Sequence, residues 1–262
     1  MSVAVRLPAG SFPRMLAEHV RAQLLSFTRN TALSAVSVVM PVLLYALVGM
    51  SNAAREQAPG VTFGAYFLAS MAAYAVSSIM VFNFGVTVAV ERGQKVDLLI
   101  RAAPLPPILY MLARVVTALA FALVALIVLF AFAYVAGGVR LDPAVWLDLG
   151  VVLLAGSIPF VAFGFAIAYL SGPNAAVAIA NITYMMLAFA SGIFIPFEQL
   201  PAFVQSVAPY LPTYHFAQLA WSAVGIAGES RLVSAAWLVA FTAAFFAVAV
   251  YAYRRDTGRR FS

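Results

Sequence analysis

LGVVLLAGSIPFVAFGFAIAYLSGPNAAVAIANITYMMLAFASGIFIPF, residues 149–197, runs for 49 positions without Asp, Glu, Lys or Arg. Its cluster of breakers is Ser171-Gly172-Pro173-Asn174. A bilayer core of about 30 Å is crossed by about 20 apolar residues of helix. The run therefore divides into two crossings, 149–170 and 175–195, joined by a tight turn.

The rest of the chain has the same character. Of its 262 residues 65% are hydrophobic and 9% charged, against about 25% charged in an ordinary soluble domain. The expected fold class is all-α, a single polytopic domain over 1–262. Six spans can be drawn, at 31–50, 61–84, 108–135, 149–170, 175–195 and 232–253. The second apolar run stays uncharged as far as Val90. From Val61 that is about 45 Å of straight helix, so its inner end should project out of the hydrocarbon. Pro41 inside the first span is a tolerated membrane proline.

The formal charge of +6 does not indicate nucleic acid, because the charges sit at the ends of apolar runs and form no basic groove. They set orientation. Arg6, Arg14, Arg21, Arg29, Arg92, Lys95, Arg101, Arg114, Arg254, Arg255, Arg259 and Arg260 fall on one side, Arg55, Arg140 and Arg231 on the other. Twelve against three predicts cytoplasmic termini. The first apolar run begins too late and is too long for a cleavable signal. The absence of cysteine excludes disulfides and thiolate chemistry.

Three segments are more than simple spans. Over 13–29, Leu16, Val20, Leu24 and Phe27 share one helical arc, opposite Arg14, Glu18, Arg21 and Arg29. This predicts an amphipathic helix lying in the headgroup layer or docking a cytoplasmic partner. The connection 91–103 carries Val96, Leu99, Ile100 and Ala103 on one face, with Glu91/Lys95 and Asp97/Arg101 as i,i+4 pairs in the favourable order. Pro104, Pro106 and Pro107 stop it, so a cytoplasmic helix is expected there. Over 196–228, Pro196, Pro201, Pro209 and Pro212 cut an apolar, aromatic stretch into pieces too short to cross. Two short helices, at 200–207 and 213–224, should form an outer re-entrant hairpin packed against the bundle.

In order and placement these segments resemble the membrane permease subunits of ABC-2-type ATP-binding-cassette exporters. The residues that carry the resemblance are Glu91-Arg92, Asp97-Leu98-Leu99 with Ala103-Pro104-Leu105, Ser191-Gly192, Pro196, Glu198, Leu200-Pro201 and Leu211-Pro212-Thr213-Tyr214. It implies an interface helix containing Arg14, Glu18 and Arg21. It also implies a coupling helix through which Glu91, Arg92, Asp97, Leu98 and Arg101 meet the ATPase, and an outer gate at Pro196, Glu198, Pro201 and Pro212. Two places depart from the usual pattern: Gln94-Lys95-Val96-Asp97, and Trp221 where an arginine is common.

The resemblance further implies a separate ATPase subunit that holds ATP and Mg, no cofactor on this chain, and a second permease copy as a homodimer or heterodimer. With Lys95 as its one lysine, the chain has no G-x-x-x-x-G-K-[ST] phosphate loop. The expected place is a prokaryotic cytoplasmic membrane, and the expected cargo a hydrophobic or amphipathic molecule such as a drug, lipid or glycolipid.

Rival classes lack their residues. His19 and His215 are the two histidines, with no H-E-x-x-H, and each reads as a solitary interfacial residue. No G-x-S-x-G elbow and no intramembrane carboxylate pair is visible. An ion-coupled secondary transporter of a small apolar substrate is the closer alternative, but its coupling charges belong inside spans. Here Arg114 lies at a span end, where it is expected to snorkel, and Glu198 just beyond one. Asn83, Thr87, Asn181, Thr183 and Tyr184 are expected to make interhelical hydrogen bonds.

Overall fold

In the computed structural model the described residues are 14, 17–18, 20–21, 31–94, 107–226 and 228–260, with side chains left aside at 31–36, 107–110, 173 and 256–260. Helix α1, Thr31–Leu44, runs on through a π-turn, Tyr45–Gly49, and a 3-10 turn, Met50–Asn52. A short antiparallel pair follows, β1 at Glu56–Ala58 and β2 at Val61–Thr62, so the fold is nearly all-α. Helix α2, Phe63–Gly93, contains a π-turn at Phe82–Val86. Then come α3, Pro107–Val135, α4, Pro143–Gly156, α5, Ile158–Leu170, and α6, Pro173–Ala190. Two short helices, α7 at Ala202–Val207 and α8 at Pro212–Ala223, precede the long α9, Arg231–Arg260.

Local chemistry sets the boundaries. The Thr62 hydroxyl caps α2 by accepting from the Ala65 amide at 3.4 Å. Proline stands in the first turn of α4, α6 and α8, where its missing N–H costs nothing. Gly192, at φ 81°, closes α6 in the left-handed conformation, with Ile193 N–H reaching back to Ala188 O. Within the 149–170 span, Ser157 and Pro159 break the helix into α4 and α5. The first part also begins six residues earlier than expected, at Pro143.

Among the described residues four helical stretches are long and apolar enough to cross a membrane: Phe63–Gly93, Met111–Val135, Pro143–Leu170 and Arg231–Arg255. The other two expected spans are represented by shorter apolar helices, Ser37–Asn52 and Asn174–Ala190. Helix α2 is the axis of the bundle, with every residue from Phe63 to Val81 buried. It packs against α1, α3, α5, α6 and α8, while α9 lies along α5. The contrast between α2 and α3 is the reverse of a soluble protein's. The most buried, α2, is the least hydrophobic, and the largely exposed α3 the most. Lipid accepts only apolar side chains, whereas a protein interior can satisfy Ser70, Ser77 and Ser78.

Candidate functional site

One end of the bundle is fastened by charge. The two Glu91 oxygens accept from Arg114 Nη2, joining the last turn of α2 to α3. Arg114 Nη1 also donates to Asn83 O at 3.3 Å, within the π-turn. A π-turn shifts backbone hydrogen bonding by one residue, and a guanidinium is suited to a carbonyl in such a place. Arg114 is 4% exposed, so the expectation that it snorkels is corrected: a carboxylate within the fold holds it inside. Beside it Arg92 donates to Ala168 O and lies 4.6 Å over the Tyr169 ring, tying α2 to α5. The two helices can approach there because Gly85 and Gly164 face each other. A Cβ on Gly164 would stand 3.0 Å from Gly85 N and Val81 O.

Glu91 and Arg92 thus belong to the end of α2 and face inward, whereas the sequence suggested the start of a separate helix. Asp97, Leu98 and Arg101 lie outside the described residues. Of the interface segment, Arg14, Glu18 and Arg21 are helical and exposed, with Val20 half-buried between them.

The other end contains the proline-divided hairpin. Pro196 is half-buried, Glu198 exposed in a 3-10 turn, and Pro201 exposed at the start of α7. Gln205 Nε2 secures this turn through Leu200 O at 2.8 Å. Pro212 is buried at the start of α8, which inserts among α2, α4 and α9. There Trp221 stacks on Tyr66 at 5.4 Å and donates to Ser70 Oγ at 2.8 Å. The indole occupies a core position of α8 that a guanidinium could not enter without a counter-charge.

His215 is not solitary. It is fully buried, with Nδ1 at 2.7 Å from Glu229 Oε2 and Nε2 at 2.9 Å from Pro209 O, and it stacks on Trp237. Both ring nitrogens thus face oxygens, one of a carboxylate and one of the main chain. Ser234 Oγ donates to the same Glu229 oxygen at 2.7 Å, which joins the hairpin to α9. Nearby Arg231 forms a two-bond pair with Asp148 of α4.

The mid-bundle polar residues separate into two sets. Tyr184 OH meets Ser77 Oγ at 2.7 Å and donates to Tyr74 O at 3.0 Å, an interhelical pair of the expected kind. Asn181 and Thr183 instead bond back to their own helix, through Val177 O and Ile179 O, and Asn181 lies exposed among apolar residues of α6. Among the described residues no group of three His, Cys, Asp or Glu could hold a metal ion.

Sequence reasoning did not pair Glu91 with Arg114, His215 with Glu229, or Asp148 with Arg231. For the first pair a signal existed, namely two opposite charges near the membrane ends of consecutive apolar helices, flanking one connection.

A buried helical axis, apolar outer helices and charged fastenings confined to the bundle ends define a multi-pass membrane protein with no visible reaction centre among the described residues. The profile of the ABC-2 type transporter family matches residues 17–224, and the chain belongs to that family. It is also similar to "Putative transport permease YvfS" of Bacillus subtilis (strain 168). The two are 29% identical over 221 residues, covering 84% of this chain and 89% of the relative. The chain is therefore an ABC-2 transport permease, a membrane subunit whose family works with an ABC ATPase.

Proposed function

We propose that this chain is the permease half of an ATP-driven exporter. It crosses a prokaryotic cytoplasmic membrane six times, with both termini inside, and carries a hydrophobic or amphipathic cargo outward. A separate subunit binds and hydrolyses ATP with Mg, and a second permease copy completes the conduit. The 91–103 connection receives the ATPase's movement, and the 196–228 hairpin covers the conduit's outer end.

The observation that carries this reading is the fastening at the end of α2. Glu91 is tied to α3 and Arg92 to α5, so a push on the connection between Gly93 and Pro107 reaches three helices together. Asp97 and Arg101 remain as candidate contacts for the ATPase. A reversal at Glu91 would break the internal pair, so the informative variant is Asp97→Lys with Arg101→Glu. Membrane abundance should be unchanged while ATPase copurification or cargo-stimulated hydrolysis falls. Normal copurification and normal hydrolysis would refute the coupling role.

The second copy is supported by α6. Its outward face carries the polar Asn181 beside Ile182 and Met186. A polar side chain toward lipid is costly unless protein or water covers it. Disulfide cross-linking of an Ile182→Cys variant in membranes tests this, and its failure at Ile182 and at Met186→Cys alike would remove α6 from the contact.

A further inference from the structure

Helix α9 lies along α5 but parts from α4. Helices α4 and α5 are separated by the interruption at Ser157, next to Pro159. The gap between α4 and α9 is a groove of about 730 Å³. Ala155 and Ile158 form one wall, Ala235 and Val239 the other, and the buried Leu219 and Leu238 line its floor. Apart from Thr242 and the main chain, its lining is apolar until Arg231, at the end of the bundle opposite Glu91.

Across that end the Arg231 guanidinium meets Asp148, Nη1 to Oδ1 at 3.1 Å and Nη2 to Oδ2 at 2.7 Å, while Nε donates to Ser222 Oγ at 2.9 Å. A guanidinium has five N–H groups and a carboxylate about four lone-pair sites. Three and two of these are engaged, and the side chains remain 44% and 37% exposed. The pair thus offers spare donors on a cation and spare acceptors on an anion, side by side, above an apolar channel.

We propose that this groove is a binding site for one phospholipid with a zwitterionic head bearing a primary amine. An acyl chain lies between α4 and α9, the phosphate accepts from Arg231, and the ammonium donates to Asp148. A net anionic head would meet the Asp148 charge without an ammonium to answer it. A quaternary ammonium has no N–H to give the carboxylate. Lipid binding is measured without cargo transport and without the ATPase.

The test is native mass spectrometry of the full-length, delipidated protein, given phosphatidylethanolamine, phosphatidylcholine or phosphatidylglycerol with the same acyl chains. The expected result is one phosphatidylethanolamine per chain, retained roughly tenfold better than the other two, the scale of one charge-assisted contact. Asp148→Asn with Arg231→Gln should bring the three lipids to within about twofold. Ala235→Phe and, separately, Val239→Trp fill the groove from exposed positions and should reduce retention of all three, with thermal unfolding confirming that each variant is folded. Equal retention of the three lipids by the unaltered protein, preference for phosphatidylglycerol, or full retention in a folded groove-filled variant would overturn the proposal.

Discussion

Removing the Glu91 carboxylate should destabilise the bundle through the charge it leaves behind. Arg114 is 4% exposed, and both Glu91 oxygens face its Nη2. Breaking a fully buried pair from one side costs about 3–5 kcal/mol. The Glu91 side chain retains 27% exposure, so water softens the loss to about 2–3 kcal/mol. At about 2–4 °C per kcal/mol for a chain of this size, Glu91→Ala should lower Tm by about 4–12 °C. Arg114→Met should do likewise. The double variant Glu91→Ala, Arg114→Met removes both charges and should cost no more than either single variant, giving a coupling energy of at least about 2 kcal/mol in the cycle. Thermal unfolding of the detergent-purified protein, followed by tryptophan fluorescence, reads all four forms. A shift below about 1 °C for Glu91→Ala, or losses that simply add in the double variant, would refute a structural ion pair at this end of α2.

Topology is open to single-cysteine labelling in this cysteine-free chain. Asn52→Cys, Gly138→Cys and Ser230→Cys should react from outside sealed cells, and Gln94→Cys, Asn174→Cys and Thr257→Cys only after permeabilisation; external labelling at Gln94 would reject the orientation. Gly164→Val should separate α2 from α5 and cost about 1–3 kcal/mol by thermal unfolding, because even a Cβ there meets backbone at 3.0 Å; an unchanged Tm would show that the crossing has room. Trp221→Phe keeps the stack on Tyr66 but deletes the bond to Ser70, so a loss of about 1 kcal/mol is expected, while Trp221→Arg should abolish folded yield; a well-folded Trp221→Arg protein would disprove the core placement of α8.

The membrane character was legible because it depends on uninterrupted apolar length, which any folded form of this chain must accommodate. The long stretches α2, α3, α4–α5 and α9 each contain one of the charge-free runs, while α7 lies between Pro201 and Pro209 and α8 starts at Pro212, since proline limits helices locally. What stayed hidden depends on three-dimensional phase. Arg114 has the same sequence context whether it snorkels or turns inward, and only the π-turn beneath it and Glu91 beside it decide. His215 and Glu229 lie on either side of the end of α8 at Ala223, so no helical periodicity carries from one to the other. The exposed Asn181 and the buried Tyr184 are three residues apart on α6 and looked alike as polar residues in a span, yet they face different surroundings.

The π-turn at Phe82–Val86 acts on α2 as a change of angular phase. Ser77, which faces Tyr184 of α6, and Glu91 are fourteen residues apart. On an uninterrupted α-helix fourteen steps of about 100° would leave Glu91 within about 40° of Ser77, looking toward α6. The additional residue of a π-turn removes one step of that rotation and leaves the carboxylate about 140° away, on the side where α3 and Arg114 stand. A single codon therefore decides which neighbour the Glu91 carboxylate reaches. Loss of any one residue among 82–86 would swing the anion from its cation onto α6, while leaving the composition of the span and its apolar length almost untouched.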